Sequence, residues 1–276
     1  MIGSTHNHST GSDGKLSPEE VIKKAIELKW DYIYFTDHYF IPSEIPIDYF
    51  NGFFTENYIN EIKKLREKYK DKIEVCFGVE LDWFEGYADW LRNEAKKESY
   101  DYVIGAIHNF QDKNGKYRSM ESGKEYWIEN TKIFGSTQDY IKEYYKQIIK
   151  LVSSGIYDCV GHLDYIKLYN EKQDLFLEES GWYKKEVIEV LDLIKEKNMA
   201  IEINAGGIRK CKTPFPSLWI IKEAKKRNIP LTIGLDAHFK EHFDNEMVKK
   251  LIDIAKEAGY KSVVRFKNRK IIEMKI

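Results

Sequence analysis

Residues 6 to 8 read His-Asn-His, with Asp13-Gly14 close behind, in a chain that has only seven histidines. On an extended strand, residues two apart point to the same side. His6 and His8 therefore deliver two imidazoles to one spot, and the chemistry to expect there is metal ligation. The remaining histidines repeat the placement: His38 follows Thr36-Asp37, His108 follows Ala106-Ile107, His162 follows Gly161, and His238 closes Leu235-Asp236-Ala237. Glu80 ends Gly78-Val79 and Asn204 ends Glu202-Ile203 in the same register. Accidents would scatter over helices and loops instead of sharing the C-terminal ends of apolar runs. His242 is such a scattered residue, four positions after His238 near the start of a helix, and is assigned a structural role.

Imidazole plus carboxylate without thiolate suits zinc, manganese or iron, whereas magnesium and calcium favour all-oxygen sites. Six histidines and several acids exceed the three protein ligands of a single catalytic zinc, so two or three ions are expected. Ions placed close together need a bridging anion between them, and Glu80 is the natural candidate.

These residues need elements to position them. Short apolar runs over 2–6, 31–36, 73–80, 102–107, 157–161, 200–204 and 231–235 read as strands. Helical periodicity lies between them, near 55–70, 137–154, 181–197, 217–227 and 245–258. Another helix opens at Ser17-Pro18-Glu19-Glu20, which supplies an N-cap, a proline at the first helical position and two acids near the positive end. The alternation predicts an α/β chain with a parallel sheet; closed into a barrel, its strand ends would converge on one mouth. Segments 262–266 and 270–274 read as a terminal hairpin. The stretches 39–54 and 110–136 are long for connecting loops and are expected to be lids or binding loops.

Composition narrows the function. The chain has 276 residues, 44 Lys+Arg against 45 Asp+Glu and 42% hydrophobic residues. That near-neutral balance offers no general nucleic-acid or membrane surface, and no apolar run is long enough to span a bilayer or serve as a signal-peptide core. Cys76, Cys159 and Cys211 are too dispersed for a disulfide framework or a zinc motif, so they are expected to be packing residues. Trp83, Trp90, Trp127 and Trp182 are likewise read as packing residues. No linker or repeat interrupts the series, giving one domain over 1–276, and the dispersed cysteines with no signal-peptide or membrane-span pattern make a reducing cytoplasm the expected location. Oligomeric state is not encoded in any feature of the sequence.

The ordered motifs H-x-H, S-D-G, T-D-H, G-x-E, a histidine after an apolar strand, G-H-x-D and D-A-H resemble those of the polymerase and histidinol phosphatase (PHP) family, over essentially the whole chain. The resemblance implies a distorted (β/α)7 TIM-like barrel with a metal site at the C-terminal ends of the strands and three divalent ions. It implies that His6, His8, Glu80 and Asp236 hold the first ion, that Glu80 bridges to a second held by His108 and His162, and that Asp13, His38 and His238 hold the third. Asp37 is expected behind a ligand as an orienting acceptor. GHLDYIKLY (161–169), EINAGGIRK (202–210) with PFPS (214–217), and IGLDAH (233–238) are most similar to the histidinol-phosphate phosphatase branch of that family; Ala205, Gly206 and Leu235 depart from its usual pattern.

The implied reaction is hydrolysis of L-histidinol phosphate, a small phosphate ester, by a hydroxide bridging two metals, with Glu80, Asp236 and Arg209 as the catalytic residues. Arg209, a planar fork, is expected to clamp the phosphate, with Lys167 as a second contact and Asp236 or a histidine carrying the proton to the leaving group. Tyr39, Phe40, Phe110, Tyr117 and Glu121 are candidates for holding the rest of the substrate. A nucleotide or nucleic-acid phosphoesterase and a metal-binding barrel without turnover are the alternatives.

Overall fold

The computed structural model describes residues 2–39, 41–42, 44–47 and 53–276. Its centre is a seven-stranded sheet of β1 (Gly3–Ser4), β2 (Tyr32–Phe35), β3 (Glu74–Asp82), β4 (Tyr102–Ala106), β7 (Cys159–Val160), β8 (Ala200–Asn204) and β9 (Leu231–Gly234), in that spatial order. Every neighbouring pair is parallel. Such a sheet is covered on both faces, and β2, β4, β8 and β9 are accordingly buried at every position. Between β9 and β1 the ladder continues beyond the strands: Thr5 N donates to Ile233 O at 2.9 Å, Asp236 N to His6 O at 2.8 Å and His8 N to Ala237 O at 2.9 Å. These bonds nearly close the sheet into a barrel.

The helices lie outside, each for a local reason. In α1 (Pro18–Glu27) Ser17 and Glu20 form a reciprocal capping box, and Val21, Ile22 and Ala25 face inward. The helices α2 (Glu56–Tyr69), α5 (Thr137–Ser153), α6 (Gly181–Glu196), α8 (Leu218–Lys226) and α9 (Asn245–Glu257) fall where periodicity places them. Three further helices were not anticipated. α3 (Ala88–Lys97) buries only Leu91 and Ala95, a stripe too thin to read from sequence. α4 (Lys124–Phe134) lies between Gly123 and Gly135 and turns Trp127, Asn130 and Thr131 inward. With the short hairpin of β5 (Asn109–Gln111) and β6 (Tyr117–Ser119), it occupies the stretch expected to be a long loop. α7 (Ala205–Cys211) starts directly from β8, with the Asn204 side chain accepting from Gly206 N at 2.6 Å.

The opposite mouth is covered by the antiparallel hairpin of β10 (Ser262–Lys267) and β11 (Lys270–Lys275). Phe266 stacks on Tyr102 with centroids 4.9 Å apart. Arg269 reaches both carboxylate oxygens of Asp158, immediately before β7, at 3.0 and 2.9 Å.

Candidate metal centre

The strand ends converge as expected, and Glu80 stands at the middle. Its Oε2 lies 3.2 Å from His6 Nε2, 3.4 Å from His8 Nε2 and 3.1 Å from His38 Nδ1. Its Oε1 lies 2.9 Å from His162 Nε2 and 3.9 Å from His108 Nε2. One carboxylate thus divides five imidazoles between its two oxygens. Asp236 Oδ1 is 3.3 Å from His8 Nε2 and 3.9 Å from His6 Nε2. Asp13 lies 3.2 Å from His238 Nε2 and 3.5 Å from His8 Nδ1, and the His8 and His238 rings stack at 4.1 Å.

Ligand-capable atoms within 4.8 Å of one another group as His6, His8 and Glu80; as Glu80, His108 and His162; and as His8, Asp13, His38 and His238. A fourth group, His38, Asp82 and His108, shares members with these. His6 Nε2 and His8 Nε2 face each other at 3.1 Å inside the protein, and His162 Nδ1 is buried without a hydrogen-bond partner among the described residues. Converging lone pairs of this kind fit a shared divalent cation, so the donor set is the right one for the implied metals.

Two acceptors orient the imidazoles from behind, and sequence reasoning assigned neither. Glu202 Oε1 holds His6 Nδ1 at 2.8 Å, while its Oε2 accepts from Asn204 Nδ2 and His162 N at 2.9 and 3.1 Å. Asp82 Oδ1 holds His108 Nδ1 at 2.8 Å. A signal for Asp82 exists in the sequence, because it lies two residues after Glu80 on one strand and therefore on the same side. Asp37 behaves differently from expectation. Its carboxylate accepts from Ser9 N and Oγ, Ser12 Oγ and the Tyr58 hydroxyl, so it ties down the turn after His8. Among the described residues it reaches the ligands through Ser12, whose Oγ is 3.3 Å from His8 Nδ1 and 3.3 Å from Asp13 Oδ1.

Burial and mutual charge set the protonation of the metal-free cluster. Burial would raise Glu80 and Asp236, but His38 and His6 around the first and His6 and His8 around the second hold both well below the usual carboxylate range. Burial, with His238 and His38 nearby, pushes His8 down to about 4. His6 and His108 are also buried, yet the carboxylates behind them prevail: Glu202 and Glu80 raise His6, and Asp82 raises His108 to about 10. Backbone strain is concentrated here too. Asp236 and His162 adopt left-handed φ values of +52° and +26°, a cost that surrounding packing must sustain.

A cavity of about 320 Å³ opens over the cluster, enough for a small ester. Outside the cluster it is lined by Glu121, Tyr165, Arg209, Lys210, Phe239 and His242. Arg209 Nη2 donates to Leu235 O and Asp236 O at 2.6 and 2.7 Å, while Nη1 keeps no partner among the described residues. His242, expected to be merely structural, reaches this wall, its Nδ1 accepting from His238 N at 3.2 Å.

Lys167 corrects the expectation of a second phosphate contact. It is buried away from the cavity, donating to Pro214 O at 2.9 Å and to Ser217 Oγ, and paired with Asp164 at 2.8 Å. An ammonium with three satisfied partners in the interior is a structural tie. Of the residues considered for the rest of the substrate, Glu121 lines the cavity. Phe110 packs on Tyr140, Tyr117 on Phe84, and Tyr39 donates to Glu94. Phe40 lies outside the described residues.

A near-closed parallel barrel with this constellation at its C-terminal mouth defines a metal-site α/β barrel. The family model described as PHP domain matches residues 4–206. The chain belongs to the PHP domain family.

Among curated relatives, it is similar to the histidinol-phosphatase of Lactococcus lactis, 26% identical, with 96% of this chain and 94% of the relative covered. It is also similar to that of Bacillus subtilis, 25% identical over 84% of this chain and 89% of the relative. A solved Lactococcus lactis histidinol phosphate phosphatase, complexed with zinc, L-histidinol and phosphate, covers 98% of each chain at 22% identity and a TM-score of 0.76. A Listeria monocytogenes structure reaches 0.80 at 19% identity, with 88% of this chain and 98% of that chain covered. Both share the fold. Among the described residues no helix is long and apolar enough to cross a membrane.

Proposed function

We propose that the protein is a metal-dependent phosphomonoester hydrolase that converts L-histidinol phosphate and water to L-histidinol and phosphate, acting as one domain over 1–276 in the cytoplasm. The observation that carries this reading is Glu80 dividing five imidazoles beneath a cavity walled by Arg209. The relatives named above agree with the substrate.

His6, His8, Glu80 and Asp236 would hold one divalent ion, Glu80, His108 and His162 a second, and Asp13, His38 and His238 a third, each zinc, manganese or iron. When bound, such ions act as Lewis acids toward the phosphoryl group and lower the pKa of a coordinated water toward neutrality. The chain's own groups supply the rest. Arg209 is anchored through Nη2 in the cavity wall, and its buried, unpartnered Nη1 supports a role in clamping phosphoryl oxygens. Glu202 and Asp82 fix the His6 and His108 rings and keep their Nε2 atoms directed at the cluster. Asp236 stays ionised beside His6 and His8.

The test is phosphate release by stripped and metal-reloaded protein from L-histidinol phosphate, a nucleoside bisphosphate and single-stranded DNA in parallel. Reloaded protein should prefer L-histidinol phosphate, and stripped protein and the His108→Ala variant should be inactive. Preference for either nucleotide substrate, or activity that survives both chelation and the substitution, would refute the reading.

A further inference from the structure

The charged groups lining the cavity outside the metal-ligand set are Arg209, Lys210 and Glu121 among the described residues, since burial pushes the His242 imidazole down to about 4. A phosphate dianion whose neighbouring carbon carries an ammonium matches that inventory: two cations for the phosphate and one carboxylate for the amine. We propose that Glu121 is the specificity-determining acceptor for the substrate's ammonium group, an assignment that rests on the histidinol-phosphate reading above.

Glu121 is held for this task from three directions. Its N donates to Ser119 Oγ at 3.0 Å, its O accepts from the Tyr169 hydroxyl at 2.9 Å, and its Oε1 accepts from the Tyr165 hydroxyl. The Tyr165 ring packs on His108 and His162, with centroids 5.4 and 4.7 Å apart. The carboxylate is therefore one aromatic ring away from the imidazoles grouped on Glu80 Oε1.

The Tyr165 hydroxyl and Lys210 Nζ both meet Glu121 at Oε1, which leaves Oε2 to receive a ligand. Lys210 does not consume it. Its Nζ lies nearer the Tyr165 hydroxyl, at 2.7 Å, than Glu121 Oε1, at 3.4 Å. The Lys210 and Glu121 side chains are 45% and 40% exposed, and a solvated pair of that kind is readily rearranged. An ammonium arriving at Oε2 meets a carboxylate already aimed, and a partly exposed charge pair of this type discriminates by about 2- to 5-fold.

The experiment compares kcat/KM for L-histidinol phosphate with that for its deamino analogue, imidazolylpropyl phosphate, in metal-loaded wild-type, Glu121→Gln and Glu121→Asp proteins. Wild type should favour the amine by about 2- to 5-fold. Glu121→Gln should collapse the ratio toward unity, whatever its absolute rates, and Glu121→Asp should keep part of it. A ratio that is near unity in wild type, or unchanged in Glu121→Gln, overturns the assignment while leaving the phosphatase reading intact. Absence of turnover of either ester by wild type overturns the phosphatase reading itself. The wild-type ratio does not depend on how any variant folds.

Discussion

Behind each of two ligands sits a carboxylate that decides its protonation, and the pair at His108 has the clearest consequence. Asp82 raises His108 to about 10, against the effect of burial, so at neutral pH the metal-free ring carries a proton that an incoming ion must expel. Apparent metal affinity should therefore rise as pH increases from 7 toward about 10, measured as proton release in calorimetric titrations run in buffers of different ionisation heat. In Asp82→Asn the largest group opposing burial is lost, and only Glu80 and Glu121 still favour the protonated ring. Proton release at this ring should fall, and affinity should fall by about 10- to 100-fold as ring orientation is lost. In the stability of the metal-free fold the sign is that of a raised histidine: the contribution is complete below the unfolded value near ~6.5 and disappears as pH climbs through about 10. Proton release unchanged by the substitution would show that Asp82 does not govern the ring. At this scale the first ring of chemistry is readable from sequence, since His6, His8 and Glu80 advertise themselves by type and register. Asp82 and Glu202 do not, because a strand carboxylate facing inward looks like any other until its neighbour across the barrel is known.

The strands can bring these groups together only where adjacent side chains are small. Gly234 at the end of β9 is the sharpest case: a Cβ there would sit 1.8 Å from Glu202 Oε1 and 2.9 Å from His6 Cβ. Gly234→Ala must displace the carboxylate that orients His6. It should destabilise the protein by about 1–3 kcal/mol and weaken metal uptake. Gly181→Ala at the start of α6, where nothing lies within 4 Å, should leave both unchanged. Thermal unfolding and metal titration of the two variants check this, and equal behaviour would refute the packing argument. The element pattern itself was largely readable, including α1 from its capping box and proline. What escaped was α3, with its two buried residues, and α4, whose inward face includes Asn130 and Thr131. A helix whose buried side is narrow or polar carries little periodic signal.

Across the whole molecule the two barrel mouths divide the labour. Chemistry is gathered at the C-terminal ends of the strands, while the β10–β11 hairpin closes the other mouth through Arg269, which also donates to Ile156 O. Arg269→Ala removes the cation that pairs with the largely buried Asp158. It should cost about 1–3 kcal/mol, seen as a lower midpoint of thermal unfolding, with KM for the phosphate ester unchanged. A changed KM would mean that the hairpin is coupled to the site.

Residue type, strand register and helix periodicity determined an α/β chain with a parallel sheet and metal ligands at its strand ends, because those signals are local and repeat at fixed spacing; closure into a barrel came from the resemblance to the PHP family. Tertiary structure alone decided which groups stand behind the ligands, that Lys167 ties the interior instead of touching phosphate, and that Glu121 and His242 reach the cavity. Each of those outcomes depends on which segments, distant in the chain, become neighbours once the sheet curls, and no local pattern carries that information.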